Sequence, residues 1–317
     1  MTARISSRRT LVAVAAASAA ALVLSACGDQ TGSSGSGGKG DGTGAKSSGA
    51  PLHSKLPKKY QDSGVIKMGT NAAYAPMEFI EGGKIVGVDP DIAAELGKKL
   101  GVRVEFTSGT FDGLISSLNS GRHDAVMSSM SDTKARQEGL DDKGKKTGKG
   151  VDFVDYFVAG TVVYVKKGNP QGIKTIADLC GKQTAVQRGT TFEEALKKQS
   201  KQCEQGGQQP VKIESFDNDS EAQTRVKSGG AVAGVNDYPV AVDLARKAEG
   251  GNTFEIVGEQ VDAGPFGIAV DKDNAQLRDA LLAAMEAIMA DGSYKKVLDK
   301  WGAESGAITK ASVNGGS

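Results

Sequence analysis

Arg136 ends a short stretch of the sequence that is crowded with hydroxyl side chains. Four of them precede it at a predicted strand–helix junction: Ser128, Ser129, Ser131 and Thr133. A guanidinium presents a planar fork of donors that fits a carboxylate in a bidentate manner. A strand–helix junction also exposes backbone N–H groups towards an anion. These residue types therefore favour a carboxylate-binding site, with a surface arginine on a helix as the alternative.

Thr190 and Thr191 open a second predicted helix, and Glu193 and Glu194 follow each of them after three residues. That spacing is typical of a capping box, so helix capping alone explains the pattern. The two roles are compatible, because one threonine can cap while the other faces an anion beside the free N–H groups of the first turn. Asp237 follows a buried-looking strand, where an N-cap for the next helix is the simplest interpretation.

The remaining residue types give no support to metal, acid–base or nucleic-acid chemistry. The two histidines, His53 and His123, are not at a ligand spacing from the cysteines. A nucleophile motif of the Gly-x-Ser-x-Gly type does not occur. The formal net charge is +1, and a chain without the first 26 residues has 36 basic against 38 acidic side chains. Charge therefore predicts no nucleic-acid partner, and no cofactor is expected.

Short β runs alternate with amphipathic helices from residue 65 onwards, which predicts an α/β fold. Predicted strands cover residues 65–68, 102–107, 125–127, 161–165, 184–186, 211–216, 231–235, 254–257 and 267–270. Predicted helices cover residues 89–100, 111–119, 190–202, 220–226, 238–248, 277–289 and 294–301. Asp89 is the predicted N-cap of the first of these helices, and Ser220 with Gln223 opens the fourth. Residues 141–150 are predicted to form an exposed loop.

This alternation implies mostly parallel sheets that are covered by helices on both faces. The chain contains two such series, each about as long as a small domain. Two sheets in one chain leave a cleft between them, which is where open α/β folds bind ligands.

The first residues are typical of an export signal. A basic start precedes an apolar run at residues 11–24 that is too short to span a bilayer comfortably. The run ends in a tetrad that resembles the lipobox of bacterial lipoproteins: Leu24, Ser25, Ala26 and Cys27. The resemblance implies a signal peptide at residues 1–26, lipidation of Cys27 and a membrane anchor, with an ordinary signal peptide as the alternative. The Gly/Ser-rich segment up to residue 55 is then a flexible tether.

Cys180 and Cys203 form an even pair if Cys27 carries lipid. An exported protein meets an oxidising compartment, which favours a disulfide between them. Such a bridge would contribute roughly 3 kcal/mol on the loop-entropy model. Two buried free thiols are the alternative.

From residue 65 to residue 301 the chain resembles the type II periplasmic binding proteins of amino-acid ABC transporters, the solute-binding protein family 3. Residues 87–92, Gly-Val-Asp-Pro-Asp-Ile, resemble that family's Gly-Phe-Asp-x-Asp-Leu signature, with Val88 in place of the usual aromatic residue. Residues 127–136 are similar to the segment that holds ligand in the basic-amino-acid receptors. Residues 187–191 resemble the ligand loop of the second lobe, and Asn236-Asp237 its acidic position.

The resemblance implies a two-lobed fold in which each lobe is a mostly parallel sheet flanked by helices and two strands form the hinge. Residues 56–158 and 262–317 would form lobe 1, and residues 159–261 lobe 2. The implied function is an extracytoplasmic, lipid-anchored monomer that binds a free amino acid and delivers it to the permease subunits of an ABC importer.

The resemblance also implies a role for each site residue. The ligand carboxylate is assigned to Arg136, Ser131 and Thr191, and the ligand ammonium to Ser129 and Asp237. The ligand side chain is assigned to the aromatic residues Tyr74 and Phe111, with core packing as the alternative, and to the neutral polar residues Asn71 and Gln187. Apart from the resemblance, Glu78 would join them if it reaches the pocket, with a solvated surface charge as the alternative. Asn71 stands where basic-amino-acid receptors carry Asp, and a neutral amide compensates a buried cation less well than a carboxylate does. The site is therefore expected to take a polar side chain, with cationic ligands left open.

Two other functions remain as alternatives. A sensory receptor would present the ligand to a signalling partner on a separate chain. An enzyme of the dehydratase type on the same fold would need a tuned acid–base pair in the cleft.

Overall fold

The computed structural model describes residues 49–141 and 143–317. The predicted signal peptide, Cys27 and the tether up to residue 48 lie outside the described residues. In the part that the structure describes, no helix combines the length and the apolar character that a membrane crossing requires.

The strands of the described residues build one large sheet and one small sheet. Their bounds are β1 (Val65–Thr70), β2 (Ala73–Tyr74), β3 (Glu78–Glu81), β4 (Lys84–Val86), β5 (Arg103–Ser108), β6 (Ala125–Val126), β7 (Val151–Lys166), β8 (Gln183–Gln187), β9 (Lys212–Phe216), β10 (Ala233–Asp237) and β11 (Phe254–Asp271). The large sheet has the order β5-β1-β6-β11-β7-β10-β8-β9, and β2, β3 and β4 form the small antiparallel sheet.

The helices lie on both faces of the large sheet. They are α1 (Lys58–Ser63), α2 (Val88–Leu100), α3 (Leu114–Asn119), α4 (Lys134–Glu138), α5 (Thr191–Gln205), α6 (Asp219–Lys227), α7 (Tyr238–Lys247), α8 (Ala275–Ala290) and α9 (Ser293–Trp301). We refer to β1–β6 with α1–α4, α8 and α9 as lobe 1, and to β8, β9 and β10 with α5, α6 and α7 as lobe 2. Within each lobe the pairs β1–β5, β1–β6, β8–β9 and β8–β10 are parallel, which confirms the predicted α/β architecture.

Two long antiparallel strands, β7 and β11, run through both lobes. The predicted short strands at residues 161–165, 254–257 and 267–270 are parts of these two strands. Their pairing shifts register near residues 257–264, between the part that joins lobe 1 and the part that joins lobe 2. Local irregularities of this kind allow a strand to bend. The two strands therefore form the connection between the lobes that was predicted as a two-strand hinge.

Two helix starts differ from the prediction. Helix α2 begins at Val88 with Gly87 as its N-cap residue, and the Asp89 side chain is buried instead of capping. Helix α6 begins one residue early, at Asp219, and its capping box joins Asn218 and Glu221 in place of Ser220 and Gln223. At α2 the Val88 and Asp89 N–H groups donate to the carbonyl oxygens of Pro76 and Met77 at 3.1 and 3.0 Å. At α6 the neighbouring Asn218 provides the cap in place of Ser220.

The small sheet of β2, β3 and β4 was not predicted, because its strands are two to four residues long. It places Tyr74 and Glu78 opposite each other as a pair and buries both side chains. Gly87 follows directly, and a side chain there would collide with the Met77 carbonyl oxygen at 2.2 Å. The sheet thus packs tightly against the start of α2.

Cys180 and Cys203 are joined by a disulfide, with 1.95 Å between the sulfur atoms. Cys203 lies on α5 and is buried, and Cys180 follows a short 3₁₀ helix at Ile176–Leu179. The bridge ties the long helix of lobe 2 to the segment that precedes β8, as the sequence favoured.

Candidate functional site

A cavity lies between the two lobes beside the ends of several strands. Its empty space, including the part open to solvent, is about 280 Å³. Thirteen residues line it: Asn71, Tyr74, Glu78, Phe111, Ser128, Ser129, Ser131, Arg136, Gln187, Thr190, Thr191, Phe192 and Asp237. Lobe 1 supplies the residues up to Arg136, and lobe 2 supplies those from Gln187 onwards.

Arg136 reaches the cavity from α4, where Thr133 caps the helix by accepting a hydrogen bond from the Arg136 N–H group. Its guanidinium donates to the carbonyl oxygen of Ser131 at 2.7 Å and to that of Gly189, in lobe 2, at 3.0 Å. It also lies over the Phe111 ring, 5.5 Å from the centroid. Burial lowers the pKa of Arg136, but an arginine remains charged in proteins. The site therefore contains one fixed positive charge.

The two threonines at the start of α5 divide their roles. Thr190 is the N-cap: its hydroxyl accepts from the Glu193 N–H group at 3.2 Å and donates to the Gln187 carbonyl oxygen at 2.7 Å. Thr191 is the first residue of the helix, and its hydroxyl lies 3.4 Å from that of Ser131 in lobe 1. The free N–H groups of the first turn of α5 thus face the cavity together with a hydroxyl from each lobe.

Asp237 precedes α7 without making a side-chain capping bond. One of its carboxylate oxygens lies 2.5 Å from the Tyr74 hydroxyl of lobe 1, which also lies 2.5 Å from the amide oxygen of Asn236. Burial raises the pKa of Asp237 to about 7, the charge of Asp219 adds to this effect, and Arg136 acts against it. Asp237 therefore occupies the predicted N-cap position of α7, but its carboxylate does not cap the helix and instead accepts from Tyr74 of the other lobe.

Glu78 lines the cavity and forms a buried carboxyl pair with Asp89, which lies behind it. The hydroxyls of Ser128 and Ser129 donate to Glu78 at 2.8 and 3.1 Å. Asp89 accepts from the Ser129 N–H group at 2.9 Å and from the Tyr156 hydroxyl at 2.8 Å. Burial raises the pKa of Glu78 well above its usual range, and it raises the pKa of Asp89 to about 7. Two such carboxyls in contact favour sharing a proton.

Neutral amides connect the lobes on the remaining side of the cavity. The amide N–H₂ group of Gln187 donates to the side-chain oxygen of Asn71 at 3.0 Å. Asn71 in turn donates to the Gly109 carbonyl oxygen at 2.7 Å and to the Asn218 side chain at 3.0 Å. These bonds hold the amide planes in a defined orientation towards the cavity.

The structure brings all ten predicted ligand-contact residues to this one cavity. Three further residues line the cavity without having been predicted as ligand contacts: Ser128, Thr190 and Phe192. Ser128 belongs to the hydroxyl-rich stretch that was noted before Arg136, so the signal for it was present. Phe192 at the start of α5 has the sequence pattern of an ordinary core residue. Its position next to Thr191 was the only sequence signal that it could line the cavity.

Comparison with protein families gives one match that covers most of the described chain. The model of the bacterial extracellular solute-binding proteins, family 3, matches residues 66–304. Among curated proteins, the ABC transporter arginine-binding protein 1 of Escherichia coli is 33% identical over 240 residues, which cover 74% of this chain and 90% of that protein.

Solved structures of amino-acid-binding proteins are similar over the same region. An ancestral arginine-binding protein bound to arginine has 40% identity and a TM-score of 0.66, covering 75% of this chain and 98% of that one. The ancestral amino acid-binding protein AncCDT-1, a precursor of cyclohexadienyl dehydratase, has 35% identity and a TM-score of 0.66, covering 77% and 97%.

Proposed function

Because the chain belongs to family 3 of the bacterial extracellular solute-binding proteins, we propose that it binds a polar L-amino acid between its lobes and delivers it to an ABC importer. The observation that carries this proposal is that Arg136 of lobe 1 and Asp237 of lobe 2 line one cavity. A free amino acid has a carboxylate and an ammonium on the same carbon, and these two residues offer one opposite charge to each.

The carboxylate end of the ligand is held by Arg136, Ser131 and Thr191. The guanidinium has five N–H donors, and two of them are directed at backbone carbonyls. The remaining donors, the two hydroxyls and the N-terminus of α5 together form a site for an anion.

The ammonium end is held by Asp237 and by the Ser129 hydroxyl. Ser129 already donates its proton to Glu78, so that its oxygen is left to accept from the ligand. When the ammonium binds, Asp237 either gives up the hydrogen bond from the Tyr74 hydroxyl or accepts from both groups at once. Ligand binding and the closing of the two lobes are thereby linked, because both lobes contribute groups to each end of the site.

The side-chain end of the pocket accepts a polar and, if present, cationic group. Tyr74 and Phe111 offer aromatic surface, and Asn71 and Gln187 offer amide groups. Glu78 is a carboxyl at the same wall, and an approaching cation would favour its charged form. Two of the compared proteins are named for arginine binding, which agrees with a pocket that has more carboxyl groups than cations.

A thermal-shift screen of the twenty standard amino acids with ornithine and citrulline tests this function, because a ligand that binds only the folded state raises the melting temperature. We expect at least one polar L-amino acid to stabilise the protein and its D-enantiomer to have a much smaller effect. A screen in which no amino acid shifts the melting temperature would refute the proposal.

An enzymatic role is the second candidate, because AncCDT-1 is described as the precursor of a dehydratase. We propose that this chain is a binding protein and returns its ligand chemically unchanged. Incubating the ligand from the screen with the protein and analysing it by mass spectrometry checks this point, and a product that appears in proportion to protein concentration would contradict it.

The place and partners of the receptor are proposed from the sequence and the family. Lipid on Cys27 anchors a monomer outside the cytoplasmic membrane, residues 56–158 and 262–317 form lobe 1, and residues 159–261 form lobe 2. The anchor is tested by metabolic labelling with a fatty acid, which should label the wild type and not a Cys27→Ser variant. The partner is tested by co-purification: permease subunits would support transport, and a sensor kinase would support signalling.

A further inference from the structure

Residues 311–316, which we call the strap, extend the sheet of lobe 1 beyond β7. Val313 pairs with Val154 as an antiparallel bridge. The Asp155 N–H group donates to the Ser312 carbonyl oxygen at 2.9 Å, and the Asn314 N–H group donates to that of Phe153 at 3.1 Å. These bonds use the edge of β7 that does not face β11. The strap thus covers a strand edge that would otherwise present free N–H and C=O groups.

The strap then supplies hydrogen-bond donors to two buried carboxyls. The Ser312 hydroxyl and the Gly315 N–H group donate to Asp155 at 2.6 and 3.0 Å. The Gly316 N–H group donates to Asp132 at 2.8 Å. Asp132 and Asp155 are 3% and 2% exposed, so each carboxyl depends on protein donors in place of water.

Asp132 lies inside the segment that contains the proposed carboxylate-binding groups. It directly follows Ser131, and its N–H group donates to the Pro265 carbonyl oxygen on β11 at 2.8 Å. Its side chain also accepts from Gln137 at 2.6 Å. Residues 131–136 are therefore held between β11 on one side and the strap on the other.

We propose that the strap positions residues 131–136, and thereby the Ser131 hydroxyl and the Arg136 guanidinium, for the ligand carboxylate. The proposal rests on the proposed function of the cavity. It assigns to Asp132, Gly316 and Ser312 a positioning role without contact to the ligand.

The charges around the two carboxyls support a dependence of the segment on the strap. Burial, and then the neighbouring charge of Asp132, raises the pKa of Asp155 to about 6, while Ser312 and Gly315 act against this rise. Without the strap, the carboxyls of Asp132 and Asp155 would lose hydrogen-bond donors while remaining close to each other. Their repulsion would then favour a shift of residues 131–136 away from Asp155.

Gly316→Ala tests the proposal, because a Cβ at that position would lie 1.9 Å from the backbone oxygen of Asp132. The matched control is Gly148→Ala, where a Cβ meets nothing within 4 Å in an exposed loop. Calorimetric titrations use L-arginine and L-argininamide, which differ only at the carboxylate. If the screen finds another amino acid, that amino acid and its amide form the pair.

We expect Gly316→Ala to weaken binding of the amino acid by about tenfold or more and to change binding of the amide much less. Gly148→Ala should bind both as the wild type does. Unchanged binding of the amino acid, or an equal loss for both ligands, would overturn the strap proposal while leaving the proposed function intact.

Ser312→Ala is a second variant with a smaller change, since it removes only one hydroxyl donor to Asp155. Should Gly316→Ala fail to fold, Ser312→Ala decides the question: a lower ratio of amino-acid to amide affinity supports the strap, and an unchanged ratio rejects it. A wild-type protein that binds no amino acid would instead refute the proposed function itself.

Discussion

Arg136 is the only cationic side chain among the residues that line the described cavity. Replacing it by alanine would leave the ligand carboxylate buried without an opposite charge. We therefore expect Arg136→Ala to weaken ligand binding by about 2–5 kcal/mol, the usual range for removing one partner of a buried charged pair. Isothermal titration calorimetry with the ligand from the screen measures this loss.

Arg103→Ala is the matched control, because Arg103 is exposed and pairs with Glu105 on the surface. It should bind ligand as tightly as the wild type. Near-native affinity in Arg136→Ala would show that this arginine does not bind the ligand.

We expect Asp237 to make the ligand affinity depend on pH. Burial between the lobes raises its pKa to about 7, and a bound ammonium would favour the charged form and lower that pKa. Below this pH, binding must therefore displace a proton. We expect the affinity to rise as the pH increases through about 7 and to level off above it. Titrations at several pH values with Asp237→Asn, which should show a weaker and flatter response, measure the contribution.

The same carboxyl has the opposite effect on the ligand-free protein. Its folded-state pKa is raised, so its contribution to stability is complete at low pH and is lost as the pH rises through about 7.

An analogue of the ligand without the ammonium group tests the assigned role of Asp237. The wild type and the Asp237→Asn variant should bind this analogue with the same affinity. An equal loss of the amino acid and of this analogue in the variant would contradict the assigned role.

The sequence could predict which side chains gather at the cavity but not how they pair. The resemblance aligned Ser129 with a ligand-binding position, and Glu78 was expected at the pocket only if its side chain reached it. Their mutual hydrogen bond, and the contact of Glu78 with Asp89, depend on how β3 packs on the segment before α4. No local pattern of the sequence encodes that distance.

Two threonines at the start of α5 have different surroundings: Thr190 caps the helix, and the Thr191 hydroxyl faces Ser131 at the cavity. Thr190 caps the helix, so Thr190→Ala should lower the free energy of unfolding by about 1 kcal/mol. Thr191→Ala should leave stability nearly unchanged and weaken ligand binding. Urea unfolding and calorimetry on the two variants check this division. A larger loss of stability in Thr191→Ala than in Thr190→Ala would reverse the assignment.

The disulfide between Cys180 and Cys203 supports α5 away from the cavity. Replacing both cysteines by serine should lower the free energy of unfolding by roughly 3 kcal/mol, because the unfolded chain regains the entropy of the open loop. Ligand affinity should change little, since neither cysteine lines the cavity. Reductant should destabilise the wild type and leave the double variant unaffected; equal sensitivity of both would argue against the bridge.

Helices with strong local signals were predicted to within a few residues, but the long strands were not. Helix α2 ends at Gly101 as predicted, where the backbone is left-handed. The first half of β7 was missed because Asp152 and Asp155 interrupt its apolar pattern. Arg278 binds Asp152 at 2.8 Å, and the strap binds Asp155. These partners lie more than a hundred residues away along the chain, out of reach of a local pattern.

The two lobes are in contact across the cavity in this structure, through Tyr74 with Asp237, Gln187 with Asn71 and Arg136 with Gly189. Asn71 with Asn218 and Ser131 with Thr191 add two more such contacts. Polar contacts of this kind can be replaced by water, so we expect the protein to open without ligand and the ligand to close it. Small-angle scattering should show a smaller radius of gyration with ligand. The Arg136→Ala variant should not compact at the same ligand concentration, and identical profiles for the free and saturated wild type would count against closure.

A crystal structure of the protein with its amino acid bound tests the central claim most directly. The account predicts that the carboxylate of the ligand lies within hydrogen-bonding distance of the Arg136 guanidinium and its ammonium within hydrogen-bonding distance of the Asp237 carboxylate. A ligand bound outside this cavity, or one whose two charged ends contact neither residue, would contradict it.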